Sequence, residues 1–152
     1  MKIRGSFGIL LAFLMLSTPG ICQHSNNKFI TLDRPRLKDL PFSQAVLAGD
    51  TLYVSGNIGF DPKTGKPGGT AEEEARLVMN SFKESIEAGG MTMDNLVSVQ
   101  VFCSDLSLYQ SFNTVYRSYF HGKFPARAFI GAGKLLFGAR YEVMGVAVRG
   151  SK

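Results

Sequence analysis

One capped helical stripe constrains this chain more than any other feature. Ala75, Val78, Met79, Phe82 and Ile86 recur at intervals of three and four, so they share one face of an α-helix. Thr70 with Glu73 has the spacing of a capping box, and Gly89-Gly90 supplies the stop. Glu72, Glu73 and Glu74 suit the positive end of the helix dipole and read as a solvated first turn, not as a metal site. A helix with a single apolar face must bury it against a second layer. The segments around it alternate as strands do. Ala45-Val46-Leu47-Ala48 and Thr51-Leu52-Tyr53-Val54-Ser55 flank Gly49-Asp50, a hairpin signal, and a short apolar piece, Phe29 to Leu32, precedes them. Asp61-Pro62-Lys63-Thr64-Gly65 is a turn by residue chemistry.

Beyond the helix, Leu96 to Cys103 reads as a strand with Val97, Val99, Val101 and Cys103 on one face. Asp105 or Ser107 can cap a second helix, with Leu108, Phe112, Val115, Tyr116 and Tyr119 as its stripe and Asn113 interrupting it. His121-Gly122 ends that helix, and two further strands follow. The order β-β-β-α-β-α-β-β gives an α+β fold, a sheet with two long helices packed on one face. The other face of such a sheet needs cover, which points to an oligomer.

Length and composition narrow the function. At 152 residues the chain is one domain's worth and long enough to bury a core, with 45% hydrophobic and 19% charged residues arguing against disorder. Residues 1–22 read as a signal peptide. Lys2 and Arg4 open it, Ile9 to Leu16 is an apolar run too short to span a bilayer, and Ser17-Thr18-Pro19-Gly20 breaks it. Cleavage after Gly20 or after Cys22 both fit, and Ile21 is a poor residue in front of a lipidated cysteine. A single domain over residues 23–152 is then expected in the periplasm or outside the cell, with no membrane segment after signal removal. Removing residues 1–22 leaves 15 basic against 12 acidic residues, a net of +3. These charges are scattered and not interleaved with stacking aromatics, so nucleic acid is not an expected partner. With Cys22 gone, Cys103 has no disulfide partner and reads as a buried, inert thiol. His24 and His121 lack neighbours at ligand spacing, which leaves little material for a zinc site or a Ser-His-Asp triad. No glycine pattern matches a phosphate loop or a dinucleotide fingerprint.

Two charges in apolar company are the functional lead. Phe124-Pro125-Ala126-Arg127-Ala128-Phe129-Ile130-Gly131 is a proline-closed turn and a short strand carrying one permanent charge. Fifteen positions on, Glu142 interrupts a second apolar strand, Arg140 to Val148. A guanidinium offers a rigid fork of donors suited to a carboxylate, and burying it is costly unless an acceptor answers it. A structural alternative stands beside this. Arg127 capping a sheet edge, with Glu142 paired to it or to Arg140, accounts equally well for the residues alone.

Five pieces of the chain, in order and in register, resemble the RidA (YjgF) family of reactive intermediate deaminases. They are Val54-Ser55-Gly56-Asn57-Ile58, Asp61 to Gly65, Phe112-Asn113-Thr114-Val115-Tyr116, Phe124-Pro125-Ala126-Arg127 and Tyr141-Glu142-Val143. The resemblance runs from about residue 28 to 149. It implies a chorismate-mutase-like fold with a mixed β-sheet, a homotrimer and three clefts between subunits. It also implies hydrolysis of 2-imino acids and their enamine tautomers to 2-oxo acids and ammonia, without metal or organic cofactor. In that frame Arg127 holds the substrate carboxylate and Glu142 activates water. Ser55 and Gly56 line the cleft, and Asn113 is a signature asparagine. Two positions depart from the family pattern. Phe42 stands where deaminases commonly carry a tyrosine, and Phe129 where many carry a cysteine, so the pocket is expected to lack one hydroxyl and to be more apolar. The competing expectation is a non-catalytic exported trimer that binds small carboxylates or acts as a chaperone-like protein. Ribonuclease activity has little support from the charge pattern.

Overall fold

The computed structural model describes residues 27–34, 37 and 39–151. The two periodicities of the sequence resolve into β1 (Lys28–Ile30), β2 (Ala45–Ala48), β3 (Thr51–Ile58), α1 (Ala71–Ala88), β4 (Leu96–Cys103), α2 (Tyr109–Arg117), β5 (Ala126–Gly131) and β6 (Tyr141–Val148). The strands form one sheet in the order β1-β2-β3-β6-β4-β5. All neighbours are antiparallel except β4 and β5, so the sheet is mixed. A parallel pair needs a crossover, and α2 provides it. The expected α+β fold is present. Residues 1–22, read as a signal, lie outside the described residues.

α1 forms where its caps and stripe place it. The Thr70 side chain accepts from the Glu73 N–H, and the Glu73 carboxylate accepts from the Thr70 N–H, closing the capping box. Ala75, Val78, Met79, Phe82 and Ile86 are fully buried against the sheet. Burying side chains of this size contributes about 1.5–3 kcal/mol each for the larger ones. On β6, Tyr141, Val143, Gly145 and Ala147 face the helices. Gly145 is required there, because a Cβ would lie 2.9 Å from Cζ of Phe82 and 2.6 Å from the Ser98 carbonyl oxygen.

Three details differ from the sequence reading. α2 spans nine residues and is half the length of α1, because a 3-10 turn at Leu106–Leu108, capped by Asp105, takes up the first part of its stripe. Val97 is 38% exposed while Leu96 is buried, because the register of β4 against β6 shifts between Leu96 and Ser98 and flips the faces ahead of Val99.

The third difference is Glu74, which is not solvated. Its side chain is fully buried, Oε1 accepts from the backbone N–H groups of Arg140 and Tyr141, and Oε2 pairs with Arg140 Nη1 at 2.7 Å. Arg140 also donates to the carbonyls of Gly68 and Gly69. This clamp fixes the start of β6 beneath α1. Glu74→Ala would strand two backbone donors and take the carboxylate from Arg140, which keeps the Gly68 and Gly69 carbonyls, so a loss of about 3 kcal/mol in denaturant unfolding is expected.

Cys103 is buried, donates to the Asp105 carbonyl at 3.0 Å, and has its thiol pushed up by burial. Among the described residues no cluster of His, Cys, Asp and Glu is arranged to hold a metal ion, and no helix is long and apolar enough to cross a membrane.

Candidate active site

Arg127 leaves β5 on the helix-covered face. It lies beside Val99 of β4, which in turn lies beside Gly145 of β6, the row that packs under α1. There the guanidinium meets α2. Its Nη2 donates to Oδ1 of Asn113 at 2.7 Å, and its carbon lies 4.5 Å from the Tyr116 ring centre and 5.8 Å from that of Tyr109. Positions 109, 113 and 116 share one face of α2 by the spacing of four and three. Phe129, two residues along β5, completes the cluster at 5.7 Å from the guanidinium carbon and 5.6 Å from Phe112. Aromatic faces attract the cation. Among the described residues no carboxylate pairs with it. The charge is held by one neutral amide and by rings, and it still has donors to offer an anion. Tyr109, Asn113, Tyr116, Arg117, Phe124, Pro125 and Arg127 line an open concavity of about 310 Å³.

Glu142 leaves β6 on the opposite, uncovered face. Its row across the sheet is Ile58, Glu142, Phe102 and Ile130. Val99 and Phe102 are three residues apart on an unbroken stretch of strand, and side chains alternate with period two, so Arg127 and Glu142 point to opposite faces. The Glu142 carboxylate rests on the backbone of Gly56, where a Cβ would sit 2.0 Å from Oε1. A bulge between Val54 and Asn57 shapes this contact, and Asn57 pins it. Asn57 Nδ2 donates to the Ser55 carbonyl at 2.8 Å, while Oδ1 accepts from Ser81 and Ser85 of α1. Ser55 donates its hydroxyl to the Gln44 carbonyl at 3.0 Å, which ties β3 to the segment just after Phe42. Phe42 itself is 49% exposed. Burial pushes the Glu142 carboxyl above its ordinary value.

Of the structural alternative raised by the sequence, Arg127 does lie on an edge strand, but the pairing is absent. Arg127 and Glu142 do not pair with each other, and Arg140 is committed to Glu74. The structure groups Arg127, Asn113 and Phe129 in one cluster and Gly56 and Glu142 in another, with Ser55 next to Gly56 along β3. Two residues escaped the sequence reading: Tyr109, and Tyr116, which was assigned only to the core. The signal was present, since an asparagine with aromatic residues at minus four and plus three makes one composite face.

An arginine without a carboxylate partner among the described residues, held by an amide and aromatic rings, has the chemistry to receive a small anion. The chain belongs to the endoribonuclease L-PSP family, whose profile matches residues 34–149. The bovine 2-iminobutanoate/2-iminopropanoate deaminase is 40% identical over 112 residues, covering 72% of this chain and 81% of the relative. Among solved structures, RidA from the Antarctic bacterium Psychrobacter sp. PAMC 21119 superimposes with a TM-score of 0.73 at 30% identity, covering 80% of this chain and 98% of its own. Escherichia coli TdcF with bound serine gives 0.69 at 27% identity, covering 72% and 89%.

Proposed function

We propose that this protein hydrolyses small 2-imino acids and their enamine tautomers to 2-oxo acids and ammonia, in clefts between copies of itself. One observation carries the reading. Arg127 and Glu142 stand on opposite faces of one sheet, each without an ion-pair partner among the described residues, so a substrate touching both must lie between two copies. Relatives bearing the deaminase name and a relative holding serine, a small carboxylate, support it.

Arg127 binds the substrate carboxylate through its fork of donors, and Asn113 keeps that fork aimed. The imine carbon is already electrophilic, so no enzyme nucleophile is required. Glu142 takes a proton from water as the hydroxide oxygen bonds to C2, and the imine π pair goes to nitrogen, which is protonated. Collapse of the resulting carbinolamine breaks the C–N bond, releases ammonia and leaves the 2-oxo acid. No atom changes oxidation state overall. Phe129 makes the Arg127 half apolar and favours short hydrocarbon side chains, while Ser55, the Gly56 backbone and Phe42 border the Glu142 half.

The oligomer proposed is a homotrimer. Its support is the uncovered sheet face, where Tyr53 is 54% and Ile130 37% exposed beside half-buried Met144 and Val146. A working place in the periplasm or outside the cell is part of this proposal, supported by the signal-like pattern of residues 1–22.

The test uses the chain from Gln23 onward. An amino-acid oxidase generates imino acids in the presence of semicarbazide, and semicarbazone formation is followed with and without the protein. Suppression is expected for the alanine-derived imine. No suppression with alanine-, leucine- or phenylalanine-derived imines would sink the hydrolytic reading. Carboxylate-dependent thermal stabilisation without turnover would then establish a binding protein.

A further inference from the structure

We infer that the Tyr109 hydroxyl is a second donor to the substrate carboxylate, working beside Arg127. The inference rests on the reading of Arg127 as a carboxylate anchor, but not on hydrolysis. Tyr109 opens α2 and is 41% exposed, with its ring edge-on to Phe129 at 5.0 Å and 5.8 Å from the Arg127 guanidinium carbon. It lines the same concavity as Arg127 and Asn113.

The hydrogen bonding leaves its proton available. Asn113 accepts from Arg127 through Oδ1 and keeps its amide N–H groups to donate to the phenol oxygen. An oxygen that accepts from an amide keeps its own O–H to give away, and the nearest place for an anion is in front of Arg127. The Asn113 amide first, then the Arg127 guanidinium and more weakly Arg117, hold this phenol below its ordinary value of 10.0, which strengthens it as a donor. Tyr116 offers no substitute. Its hydroxyl is enclosed without a hydrogen-bond partner among the described residues, and burial pushes it up to about 12. The chain thus carries at position 109, on the arginine half, a hydroxyl of the kind absent at Phe42.

The test is calorimetric titration of 2-oxobutanoate, a stable carboxylate, into the wild type, Tyr109→Phe and Arg127→Ala. The phenylalanine keeps the ring against Phe129, so the fold is retained. Tyr109→Phe is expected to weaken binding about tenfold at neutral pH, the scale of one hydrogen bond to a charged group. It should also remove an alkaline loss of affinity. In the wild type the neutral phenol donates, whereas the phenolate formed as pH rises repels the carboxylate. The charged and titratable groups facing it are Arg127, Arg117 and Tyr116, whose hydroxyl burial pushes up to about 12. Wild-type affinity and an unchanged pH profile in Tyr109→Phe would overturn the role. Absence of binding by the wild type would overturn it together with the anchor. Tyr109-dependent binding without imine turnover would remove hydrolysis alone and leave this inference standing.

Discussion

Arg127→Ala is expected to lower kcat/KM for imine hydrolysis by on the order of a thousandfold, measured by the semicarbazide competition. Removing one member of a desolvated, hydrogen-bonded charge pair costs about 2–5 kcal/mol, and each 1.4 kcal/mol is tenfold. The local geometry argues for the upper part of that range. Among the described residues Arg127 has no carboxylate partner, so a substrate carboxylate meets an otherwise unpaired charge, framed by Tyr109, Tyr116 and Phe129. The same substitution leaves Asn113 Oδ1 without its donor at a position only 7% exposed. A modest fall in melting temperature should therefore accompany the loss of turnover. Arg127→Lys retains charge without the planar fork, and a loss of roughly ten- to a hundredfold is expected. Turnover within threefold of wild type in Arg127→Ala would remove the anchor role.

Glu142→Gln is expected to lower kcat by about a hundred- to ten-thousandfold with KM little changed, since a positioned general base contributes that much and the amide does not touch the carboxylate end. The pH profile gives a second readout. A base acts when ionised, so wild-type kcat rises with pH through the Glu142 titration, which burial places above the ordinary carboxylate value of 4.5. That limb should be absent from Glu142→Gln. Stability should move the other way. A carboxyl whose folded-state value is raised binds its proton more tightly when folded. Its favourable contribution is complete below the unfolded value and is lost as pH rises through the folded one. Glu142→Gln should therefore melt above the wild type at neutral pH, with the gap closing below the ordinary carboxylate range. Equal melting temperatures at both pH values would mean the carboxylate is not desolvated.

How much of this was legible in the sequence follows from the range over which each signal acts. The α1 stripe, its capping box and the β-β-β-α-β-α-β-β order are local properties, set within a few residues, and they appear as read. Arg127 and Glu142 stood out because a charge in an apolar strand is conspicuous wherever the strand goes. Their relation to each other was not legible. It depends on β6 inserting between β3 and β4, and on the register that sets Arg127 beside Val99 and Glu142 beside Phe102. Those are long-range facts, and a shift of one residue would have put both side chains on one face. Glu74 was misread although its position held the clue. It lies four residues before Val78 and eight before Phe82, on the buried stripe itself. A run of three acidic residues masked one that points inward to meet Arg140 across 66 positions of sequence. Val97 failed for another reason, since a bulge leaves no trace in alternation until the partner strand is known.

The most direct measurement mixes two inactive proteins. Arg127→Ala and Glu142→Gln chains are unfolded together, refolded as a mixture and assayed for imine hydrolysis. If each cleft takes its arginine from one copy and its glutamate from the next, random assembly rebuilds intact clefts from the two defective parents. The expected result is recovery of roughly a quarter of wild-type activity, with neither parent active when refolded alone. A mixture as inactive as its parents, under conditions where refolded wild type regains full turnover, would contradict a shared cleft.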